Sequence, residues 1–387
     1  MKKLISVLGS TGSIGLSTLK ILDKKKNYFK PYLFSANKNY KLICKQIKKY
    51  KPIFFFINDE KVFEKVKKKF KSNTTKIINT LNNKDCKKVS DVSILAIPGI
   101  AGLSPTIFML KKSKKMLLAN KESVICGWNI IKKLSLKYKT KIIPIDSEHF
   151  SIFKLLKNVH HNEIKKVYLT ASGGPFLNYR FNQLRKIKPQ DALRHPKWKM
   201  GKKITVDSST LMNKILEYIE AQKLFKLEKN KLEILIHPES LVHAIVQFNN
   251  GLVKFIYHET SMIIPIANAL FEKNIQINKF IKDNKKIENL TFKKPNKKIF
   301  PIIKILHKVN EYPSSSIIVN ASNEVLVEYF LAKKVPFLAI PLIIEEILRD
   351  RNYKKYAIRK PKDLKQIIKI NSWAKLKTIE KINLNYG

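Results

Sequence analysis

The sequence predicts an α/β protein that opens with a doubly wound parallel sheet and continues with an α+β region and a helical bundle. Three observations predict it. Short β-branched runs alternate with amphipathic lysine-rich segments over the first 150 residues, the alternation stops near Phe150, and helical spacing alone follows residue 298. Strand-helix alternation with right-handed crossovers is typical of a Rossmann-type architecture.

The predicted strands of the first domain, residues 1–149, are short and apolar. They are Leu4–Leu8, Tyr32–Ser35, Ile53–Ile57, Val92–Ile97, Met116–Leu118 and Lys141–Ile145. Segments with helical apolar spacing, such as Thr18–Leu22 and Leu42–Ile47, separate them. Each strand and the segment that follows it therefore form one βα unit of a parallel sheet.

The second domain is predicted over residues 150–282, and a lysine-rich linker over 283–298 leads to a C-terminal helical domain over 299–387. Its predicted strands are Lys166–Thr170, Glu233–Ile236, Ala244–Phe248 and Leu252–Tyr257, with a hairpin signal at Asn249-Asn250-Gly251 and a helix from Ser208 onward. The predicted C-terminal helices are Ile302–Lys308, Ala321–Leu331, Leu338–Leu348 and Leu364–Ile370.

The charge is strongly positive, because 77 Lys and Arg face 29 Asp and Glu and give a formal net charge of +48. Such a charge raises the hypothesis of a nucleic-acid or anionic-membrane partner. The lysines are spread along the whole chain and accompany many Asn and Ile, whereas a selected polyanion site would concentrate them on one face. We expect no specific nucleic-acid partner, and only salt-sensitive binding to polyanions.

The cysteines and the hydropathy fit a protein of the reducing cytoplasm. Cys44, Cys86 and Cys126 are far apart and include no C-x-x-C pair, so neither a disulfide framework nor a structural zinc site is predicted. The apolar run after Met1 is too short for a signal peptide, and no run approaches the roughly 18 apolar residues that a membrane span requires. We expect no membrane partner.

A glycine-rich segment, Gly9-Ser10-Thr11-Gly12-Ser13-Ile14-Gly15, lies between the first predicted strand and its helix. In this context Gly12 permits close approach of a pyrophosphate, and Gly15 permits close helix packing. The helix N-terminus offers N–H groups to the anion. The spacing is a variant of the dinucleotide fingerprint, and a plain strand–helix turn remains the alternative.

The end of the second predicted strand reads Ala36-Asn37-Lys38-Asn39 and lacks the acidic residue that usually binds the ribose hydroxyl of NAD. Lys38 and the two asparagine amides suit a 2′-phosphate, which favours NADP. The competing interpretation is one more solvated lysine in a lysine-rich chain.

Two carboxylates follow the last predicted strand of the first domain. Asp146 and Glu148, at i and i+2 of a segment expected to be extended, would point to one side and bind one hard cation, Mg²⁺ or Mn²⁺. Asn213, Lys214 and Glu217 fall on one face of a helix predicted over residues 209–221. By residue type alone, these three are more often solvated surface residues.

Six ordered motifs then resemble one family. They are Gly-Ser-Thr-Gly-Ser-Ile-Gly at 9–15, Leu-Ala-Asn-Lys-Glu-Ser at 118–123, Pro-Ile-Asp-Ser-Glu-His at 144–149, Thr-Ala-Ser-Gly-Gly-Pro-Phe at 170–176, His-Pro-x-Trp-x-Met-Gly at 195–201 and Val-Asp-Ser-x-Thr-x-Met-Asn-Lys at 206–214. His237-Pro238 and Asn320-Ala321-Ser322-Asn323-Glu324 continue the likeness. The chain resembles the 1-deoxy-D-xylulose 5-phosphate reductoisomerases.

The resemblance implies an NADPH- and metal-dependent oxidoreductase that rearranges and reduces 1-deoxy-D-xylulose 5-phosphate to 2-C-methyl-D-erythritol 4-phosphate, the first committed step of non-mevalonate isoprenoid biosynthesis. It also implies a homodimer. The implied metal ligands are Asp146, Glu148 and Glu217, and the implied catalytic residues add Lys121 and His195.

The resemblance also assigns the remaining site residues. The substrate would contact Lys121, Ser147, Glu148, Ser172, His195, Ser208, Asn213, Lys214 and Glu217. The cofactor would contact Thr11, Gly12, Ser13, Ile14, Asn37, Lys38, Asn39, Asn120, Glu122 and Gly201. Trp198 and Met200 would belong to a lid that excludes water.

Two other functions compete with this one. An NADP-dependent dehydrogenase of another metal-chelated hydroxy acid or sugar would share the glycine-rich turn and the carboxylates, but it has no need of a serine-rich phosphate site beside Lys214. A basic nucleic-acid-binding protein would need aromatic side chains interleaved with a clustered basic face. His237 and His243 suggest a metal pair, but their apolar surroundings favour structural histidines.

Overall fold

The computed structural model describes residues 2–72, 74–82, 86–198, 200–272, 275–281 and 289–387. The chain divides into two compact units. Unit 1 consists of Met1–Ser123, Asn129–Phe150 and Ser261–Lys286, and unit 2 consists of Val124–Trp128, Ser151–Thr260 and Ile287–Gly387.

The strands and helices are numbered separately along the chain. The strands are β1 (Lys3–Leu8), β2 (Phe29–Ala36), β3 (Phe54–Ile57), β4 (Lys76–Ile78), β5 (Ser90–Leu95), β6 (Ser113–Leu118), β7 (Lys141–Pro144), β8 (Ile164–Ala171), β9 (Leu232–Ile236), β10 (Val242–Phe248) and β11 (Val253–Tyr257). The α-helices are α1 (Ser13–Lys24), α2 (Tyr40–Tyr50), α3 (Glu60–Lys69), α4 (Leu103–Leu110), α5 (Lys121–Tyr138), α6 (Ser147–Leu155), α7 (Phe181–Leu184), α8 (Pro189–Ala192), α9 (Lys202–Ser209), α10 (Met212–Phe225), α11 (Ile263–Phe271), α12 (Ser315–Leu331), α13 (Ala339–Ile347), α14 (Tyr353–Ala357) and α15 (Leu364–Tyr386). Short 3₁₀ helices include Gly174–Phe176 and Pro301–His307.

The sheet of unit 1 is parallel throughout, with strand order β4-β3-β2-β1-β5-β6-β7. The order reverses between β1 and β5, which makes the sheet doubly wound and confirms the predicted Rossmann-type architecture. In such sheets ligands bind outside the carboxyl ends of the strands at this switch point. Strand β4 was not predicted, because only three residues form it within a lysine-rich stretch.

Helix α11 belongs to unit 1, although its residues follow the sheet of unit 2 in the chain. It packs against α1, and the ring of Phe271 lies 5.3 Å from that of Tyr28. The ammonium of Lys115 on β6 donates to the carbonyl of Ala269 at 3.0 Å and pairs with Glu272 at 3.0 Å. A cation at a helix C-terminus satisfies carbonyls that have no partner within the helix.

The sheet of unit 2 has the order β11-β10-β8-β9, in which β8 and β9 are parallel and the other pairs are antiparallel. The predicted hairpin is confirmed, because Phe248 N–H donates to the carbonyl of Leu252 at 2.9 Å around Asn249-Asn250-Gly251. Gly251 has φ 88°, a conformation that glycine adopts without strain. All four strands predicted for this region are present.

The helix predicted from Ser208 onward is two helices, which differs from the expectation. Helix α9 ends at Ser209, and α10 begins at Met212 after Leu211, whose φ is 66°. The hydroxyl of Thr210 accepts from the N–H of Met212 at 3.2 Å. The left-handed residue changes the chain direction, and the threonine replaces a helical backbone bond that the break removes.

The C-terminal helical region is confirmed. Helices α12, α13 and α15 pack against one another. Helix α15 runs to Tyr386, well past the predicted end at Ile370, because the buried stripe continues through Ala374, Thr378 and Ile382. Asn371 and Ser372, which have low helix propensity, hid this continuation in the sequence.

A lysine ties the short segment Val124–Trp128 to the helices of unit 2. The ammonium of Lys223, on α10, donates to the carbonyl of Ile125 and to the hydroxyl of Ser316 on α12. The same hydroxyl donates to the Ile125 carbonyl at 3.1 Å. Burial lowers the pKa of Lys223 to about 8, because removal from water disfavours the charged form. The hydrogen bonds that the ammonium donates favour the charged form and oppose this effect.

Residues 150–282 and 299–387 lie largely in unit 2, and their separation into two domains stays a prediction. The predicted linker 283–298 begins outside the described residues. Its later part forms an antiparallel bridge in which Lys293 exchanges backbone hydrogen bonds with Ile236 of β9 at 2.7 and 2.9 Å. Within the described ranges, no helix is long and apolar enough to cross a membrane.

Candidate active site

The glycine-rich turn connects β1 to α1 at the switch point of the unit 1 sheet. Gly9 has φ 87°, and its N–H bonds to the carbonyl and hydroxyl of Ser35 on β2 at 3.2 and 2.9 Å. A Cβ on Gly15 would lie 2.3 Å from the carbonyl oxygen of Gly9. The turn therefore requires glycine at both positions, which goes beyond the ordinary needs of a strand–helix connection.

A buried polar network holds the turn in place. The hydroxyl of Ser10 donates to the side chain of Gln46 at 2.6 Å, and the Gln46 amide donates back to the Ser10 carbonyl at 2.9 Å. Helix α1 begins after Gly12, which has no side chain to cap it. Its first N–H groups have no intrahelical acceptor, and they begin beside the exposed residues Gly12 and Ser13. This arrangement suits an anion such as a pyrophosphate.

The end of β2 lies beside this turn because β1 and β2 are paired, with Leu8 opposite Ser35. Asn37, Lys38 and Asn39 are exposed there, and the side chain of Asn39 caps α2 by accepting from the N–H of Leu42 at 3.2 Å. Lys38 thus stands at this edge of the sheet with no acidic residue among its neighbours in sequence. The strand pairing places Asn37 to Asn39 at the same edge as the turn that carries Thr11 to Ile14.

Asn120 is buried at the end of β6 and is engaged within the protein. Its amide donates to the carbonyl of Ile97 at 2.7 Å and to the carboxylate of Glu122 at 3.1 Å, and its oxygen caps α5 at Ser123. Its side chain therefore links the ends of β5 and β6. Contact of Asn120 with a cofactor would involve its backbone.

The carboxylates at the end of β7 lie in a helix start and not in an extended segment, which corrects the geometry expected from sequence. Helix α6 begins at Ser147, and the carbonyl of Asp146 accepts from the N–H of Phe150 at 2.7 Å. The ammonium of Lys121, the first residue of α5, lies 3.0 Å from the carboxylate of Asp146. The Ser147 hydroxyl donates to Glu148 at 2.7 Å.

The expected common face on α10 is confirmed within unit 2. The carboxylate of Glu217 pairs with the Lys214 ammonium and accepts from the Asn213 amide. The side chains of Lys214 and Glu217 are 4% and 2% exposed, so this pair is not the solvated decoration that residue type suggests. Each of the predicted metal ligands, Asp146, Glu148 and Glu217, offers carboxylate oxygens, which are the ligands that Mg²⁺ and Mn²⁺ prefer.

The segment after β8 presents Ser172 just before two glycines in the left-handed conformation. Gly173 and Gly174 have φ 82° and 62°, and a Cβ on Gly174 would lie 3.0 Å from the carbonyl oxygen of Ser208 on α9. The structure therefore brings the Ser172 segment against the helix that carries Ser208, as the shared role predicted for the two serines requires. Both serines are half-buried.

His195 contacts Ser172, and the hydrogen bonds determine its tautomer. Its Nδ1 accepts from the N–H groups of Lys197 and Trp198 at 3.1 and 2.9 Å. The ring proton of the neutral form therefore lies on Nε2 and is donated to the Ser172 hydroxyl oxygen at 3.2 Å. That oxygen also accepts from Gly174 N–H at 3.1 Å, so the Ser172 hydroxyl proton is left to donate to a ligand. Burial lowers the pKa of His195 to about 4.

The loop after His195 rests against a histidine pair that the sequence did not predict. The rings of His243 and His258 are stacked 3.9 Å apart, and the Trp198 ring meets His243 edge-on at 6.1 Å. Met200 is half-buried, and Gly201 is exposed at the start of α9. The hairpin of β10 and β11 was predicted, but the register that brings His258, just after β11, onto His243 was not.

His237 has the structural role that was expected. It is fully buried, and its Nε2 accepts from the N–H groups of Leu241 and Val242 at 3.2 and 3.1 Å. Its ring stacks on Phe292 at 4.7 Å. These bonds hold the turn between β9 and β10.

Three family models match the chain. One described as 1-deoxy-D-xylulose 5-phosphate reductoisomerase matches residues 5–127, its C-terminal domain model matches residues 142–225, and a DXP reductoisomerase C-terminal domain model matches residues 258–377. Together they cover most of the sequence.

Curated relatives carry the same name. The protein from Pelagibacter ubique is 44% identical over 390 residues, covering 97% of this chain and 98% of its own. The protein from Clostridium novyi is 38% identical over 399 residues, covering 99% and 100%.

Solved structures agree over the whole length. A DOX-P reductoisomerase in complex with NADPH, fosmidomycin and magnesium superimposes with a TM-score of 0.92 at 29% identity, covering 99% of this chain and 98% of its own. The enzyme from Zymomonas mobilis in complex with NADPH gives 0.88 at 28% identity, covering 99% of each chain.

We predict that His195 titrates near pH 4, far below its ordinary value near 6.5. The unfolded chain takes up this proton at a higher pH than the folded chain. The contribution of His195 to the free energy of unfolding therefore falls as the pH is lowered from 6.5 towards 4. NMR titration of the imidazole, assigned with a His195→Gln spectrum, measures the midpoint, and a midpoint near 6.5 would contradict the assignment of Nδ1 as a buried acceptor.

Proposed function

The chain belongs to the 1-deoxy-D-xylulose 5-phosphate reductoisomerase family, and we propose that it converts 1-deoxy-D-xylulose 5-phosphate to 2-C-methyl-D-erythritol 4-phosphate. The reaction uses NADPH and Mg²⁺ or Mn²⁺, and it is the committed step towards isoprenoid precursors. The observation that carries this function is the match over 99% of the chain to an enzyme solved with NADPH, fosmidomycin and magnesium.

The cofactor site is proposed at the switch point of unit 1. The N-terminus of α1, from Thr11 to Ile14, binds the pyrophosphate, and Asn37 to Asn39 bind the 2′-phosphate. Asn120, Glu122 and Gly201 complete the proposed contacts. When bound, NADPH supplies the hydride for reduction. The support for the site is the turn that only glycine permits at positions 9 and 15.

The metal ligands are proposed to be Asp146, Glu148 and Glu217. When bound, the cation supplies a Lewis acid for the oxygens of the substrate. Lys121 lies beside Asp146 and Lys214 lies beside Glu217, and each ammonium holds its carboxylate in a fixed orientation. Ionised oxygens are the form that a hard divalent cation requires.

The substrate phosphate is proposed to bind to Ser172, Ser208, Asn213 and Lys214, with His195 behind Ser172. Because Ser172 accepts from two donors, its hydroxyl points its proton towards the phosphate. A neutral His195 with its proton on Nε2 orders that hydroxyl. Lys121 and Ser147 are proposed to contact the sugar oxygens, so that charge developing on them meets fixed donors.

The lid is proposed to consist of the loop that carries Trp198 and Met200. In the present structure Trp198 packs on His243, which gives the loop a defined resting place. Closure of this loop, with Trp198 and Met200 over the site, would exclude water from a reactive aldehyde.

A homodimer is proposed through β11. This strand is an edge of the unit 2 sheet among the described strands, and Leu252, Val253 and Phe255 are 58%, 53% and 47% exposed. An edge with unpaired backbone groups and exposed apolar side chains favours pairing with another strand. Antiparallel pairing of β11 with its own copy satisfies twofold symmetry, so a second copy of this chain is the proposed partner.

A cytoplasmic location is proposed from the cysteines. Cys44, Cys86 and Cys126 are buried, and none of the three forms a disulfide. Proteins of reducing compartments retain such thiols, whereas exported domains commonly oxidise theirs in pairs.

We predict that the purified protein oxidises NADPH when it is given 1-deoxy-D-xylulose 5-phosphate with Mn²⁺ or Mg²⁺. Chelation of the metal should reduce the rate by more than about 100-fold, because the cation stabilises charge on the substrate oxygens. The absorbance of NADPH at neutral pH measures the rate. A folded, metal-replete sample without turnover would falsify the proposed function.

We predict that Glu217→Gln weakens Mn²⁺ binding by at least about tenfold and lowers kcat, since an amide cannot replace a carboxylate ligand. Titration followed by the EPR signal of free Mn²⁺ measures affinity independently of turnover. Glu228→Gln is the control, because Glu228 is exposed and lies outside the proposed site. If Glu217→Gln kept the wild-type Mn²⁺ affinity, the third ligand would be wrongly assigned.

We predict that Phe255→Lys converts a dimer into a monomer, because two charges would face each other across the paired edge. Size-exclusion chromatography with light scattering measures the mass. Leu376→Lys is the matched control, because Leu376 on α15 is 69% exposed and far in sequence from the edge. A wild-type monomer at all concentrations, or a dimer that survives Phe255→Lys, would exclude this interface.

A further inference from the structure

Asp207 on α9 is a buried carboxylate with two partners in unit 2. It is 1% exposed, and its Oδ2 lies 3.0 Å from the ammonium of Lys203. Its Oδ1 accepts from the amide nitrogen of Asn323 on α12 at 2.7 Å. A carboxylate out of water must be paired and hydrogen-bonded to remain ionised. Asn323 is therefore one of the two partners that hold this carboxylate in place.

The orientation of Asn323 follows from chemistry. A carboxylate can only accept, so the amide nitrogen must face it. The amide oxygen of Asn323 is then buried without a hydrogen-bond partner among the described residues. A buried oxygen without a hydrogen bond lowers the free energy of unfolding, and an apolar side chain at this fully buried position would avoid that loss. Packing alone does not explain an asparagine here, whereas the bond to Asp207 does.

Asp207 lies at the start of the segment of the chain that carries three of the proposed phosphate ligands, Ser208, Asn213 and Lys214. It immediately precedes Ser208, and its carbonyl accepts from the Thr210 hydroxyl at 3.2 Å. Thr210 in turn accepts from the N–H of Met212, the first residue of α10. A displacement of Asp207 would therefore shift Ser208 and the start of the helix that carries Asn213 and Lys214.

The segment that contains Ser208 also packs against the segment that contains Ser172. A Cβ on Gly174 would lie 3.0 Å from the Ser208 carbonyl oxygen, so the two segments are closely packed and leave little space for a side chain at position 174. Small displacements in a close-packed interior are transmitted and not absorbed.

We propose that Asn323 is a positioning residue for the substrate phosphate, acting through Asp207 on Ser208 and on the start of α10. The proposal rests on the function proposed above. Asn323 touches neither substrate nor cofactor, and the phosphate end of the substrate is the part of the ligand that it affects.

The test replaces Asn323 with leucine, which has a similar volume and no donor. KM for 1-deoxy-D-xylulose 5-phosphate should rise about tenfold, the size expected for one lost hydrogen bond to a charged group, while kcat changes by less than about threefold. KM for NADPH should not change. With unphosphorylated 1-deoxy-D-xylulose, kcat/KM should equal that of the wild type, because the affected ligands have no phosphate to bind.

The matched control is Asn371→Leu. Asn371 lies on α15, is 6% exposed, and also has a buried amide oxygen without a partner. It should leave all these constants unchanged. If Asn323→Leu does not fold, Asn323→Ser, which is too short to reach Asp207, should show the same rise in KM.

A KM for the phosphosugar equal to that of the wild type, or an equal loss with the unphosphorylated sugar, would overturn the proposal. A wild-type protein without turnover would instead overturn the proposed function. In that case calorimetric titration with inorganic phosphate decides the role of Asn323. A dissociation constant about tenfold higher in Asn323→Leu supports it, and equal constants exclude it.

Discussion

The buried ion pair between Lys214 and Glu217 is the interaction on which the site of unit 2 depends. Both side chains are almost completely withdrawn from water, and burial of either charge alone would cost more than a helix of this length could offset. Asn213, Lys214 and Glu217 lie on one face of the first turns of α10, and α10 begins at Met212 after the left-handed residue Leu211. The Thr210 hydroxyl accepts from the N–H of Met212 at this start.

The same constraint recurs at the other carboxylates. Asp146 faces Lys121 at 3.0 Å, and Asp207 faces Lys203 and Asn323. In a chain with a net charge of +48, basic side chains far outnumber the carboxylates with which they can pair. The lysines described here differ from the others because they form ion pairs at buried or partly buried positions. Composition therefore says little about function in this protein. The few lysines that pair with these carboxylates indicate where the candidate site lies, whereas the many solvated lysines do not.

Local patterns predicted most of the fold, and the misses have identifiable physical causes. Strands that contain an apolar run distinct from their surroundings were predicted, whereas β4, with only Lys76, Ile77 and Ile78, was not. Helix α11 joins the sheet of unit 1 through Phe271 and Lys115, and no local signal shows which sheet a helix covers. The helix start at Ser147 was available in the sequence, since Asp146 followed by Ser and Glu is a common helix N-terminus, but the preceding strand suggested continued extension.

The site divides in the same way between local and tertiary information. Ordered motifs identify Ser172, His195 and Glu217 as candidates, but the tautomer of His195 depends on two backbone N–H groups that only the folded loop brings to Nδ1. Asn323 shows the limit most clearly. It lies in a recognisable motif, yet its partner Asp207 is 116 residues away in sequence and on another helix. A motif distant in sequence from the site can be interpreted once the fold shows which segment it contacts, and Asn323 contacts the segment that we propose to bind the phosphate.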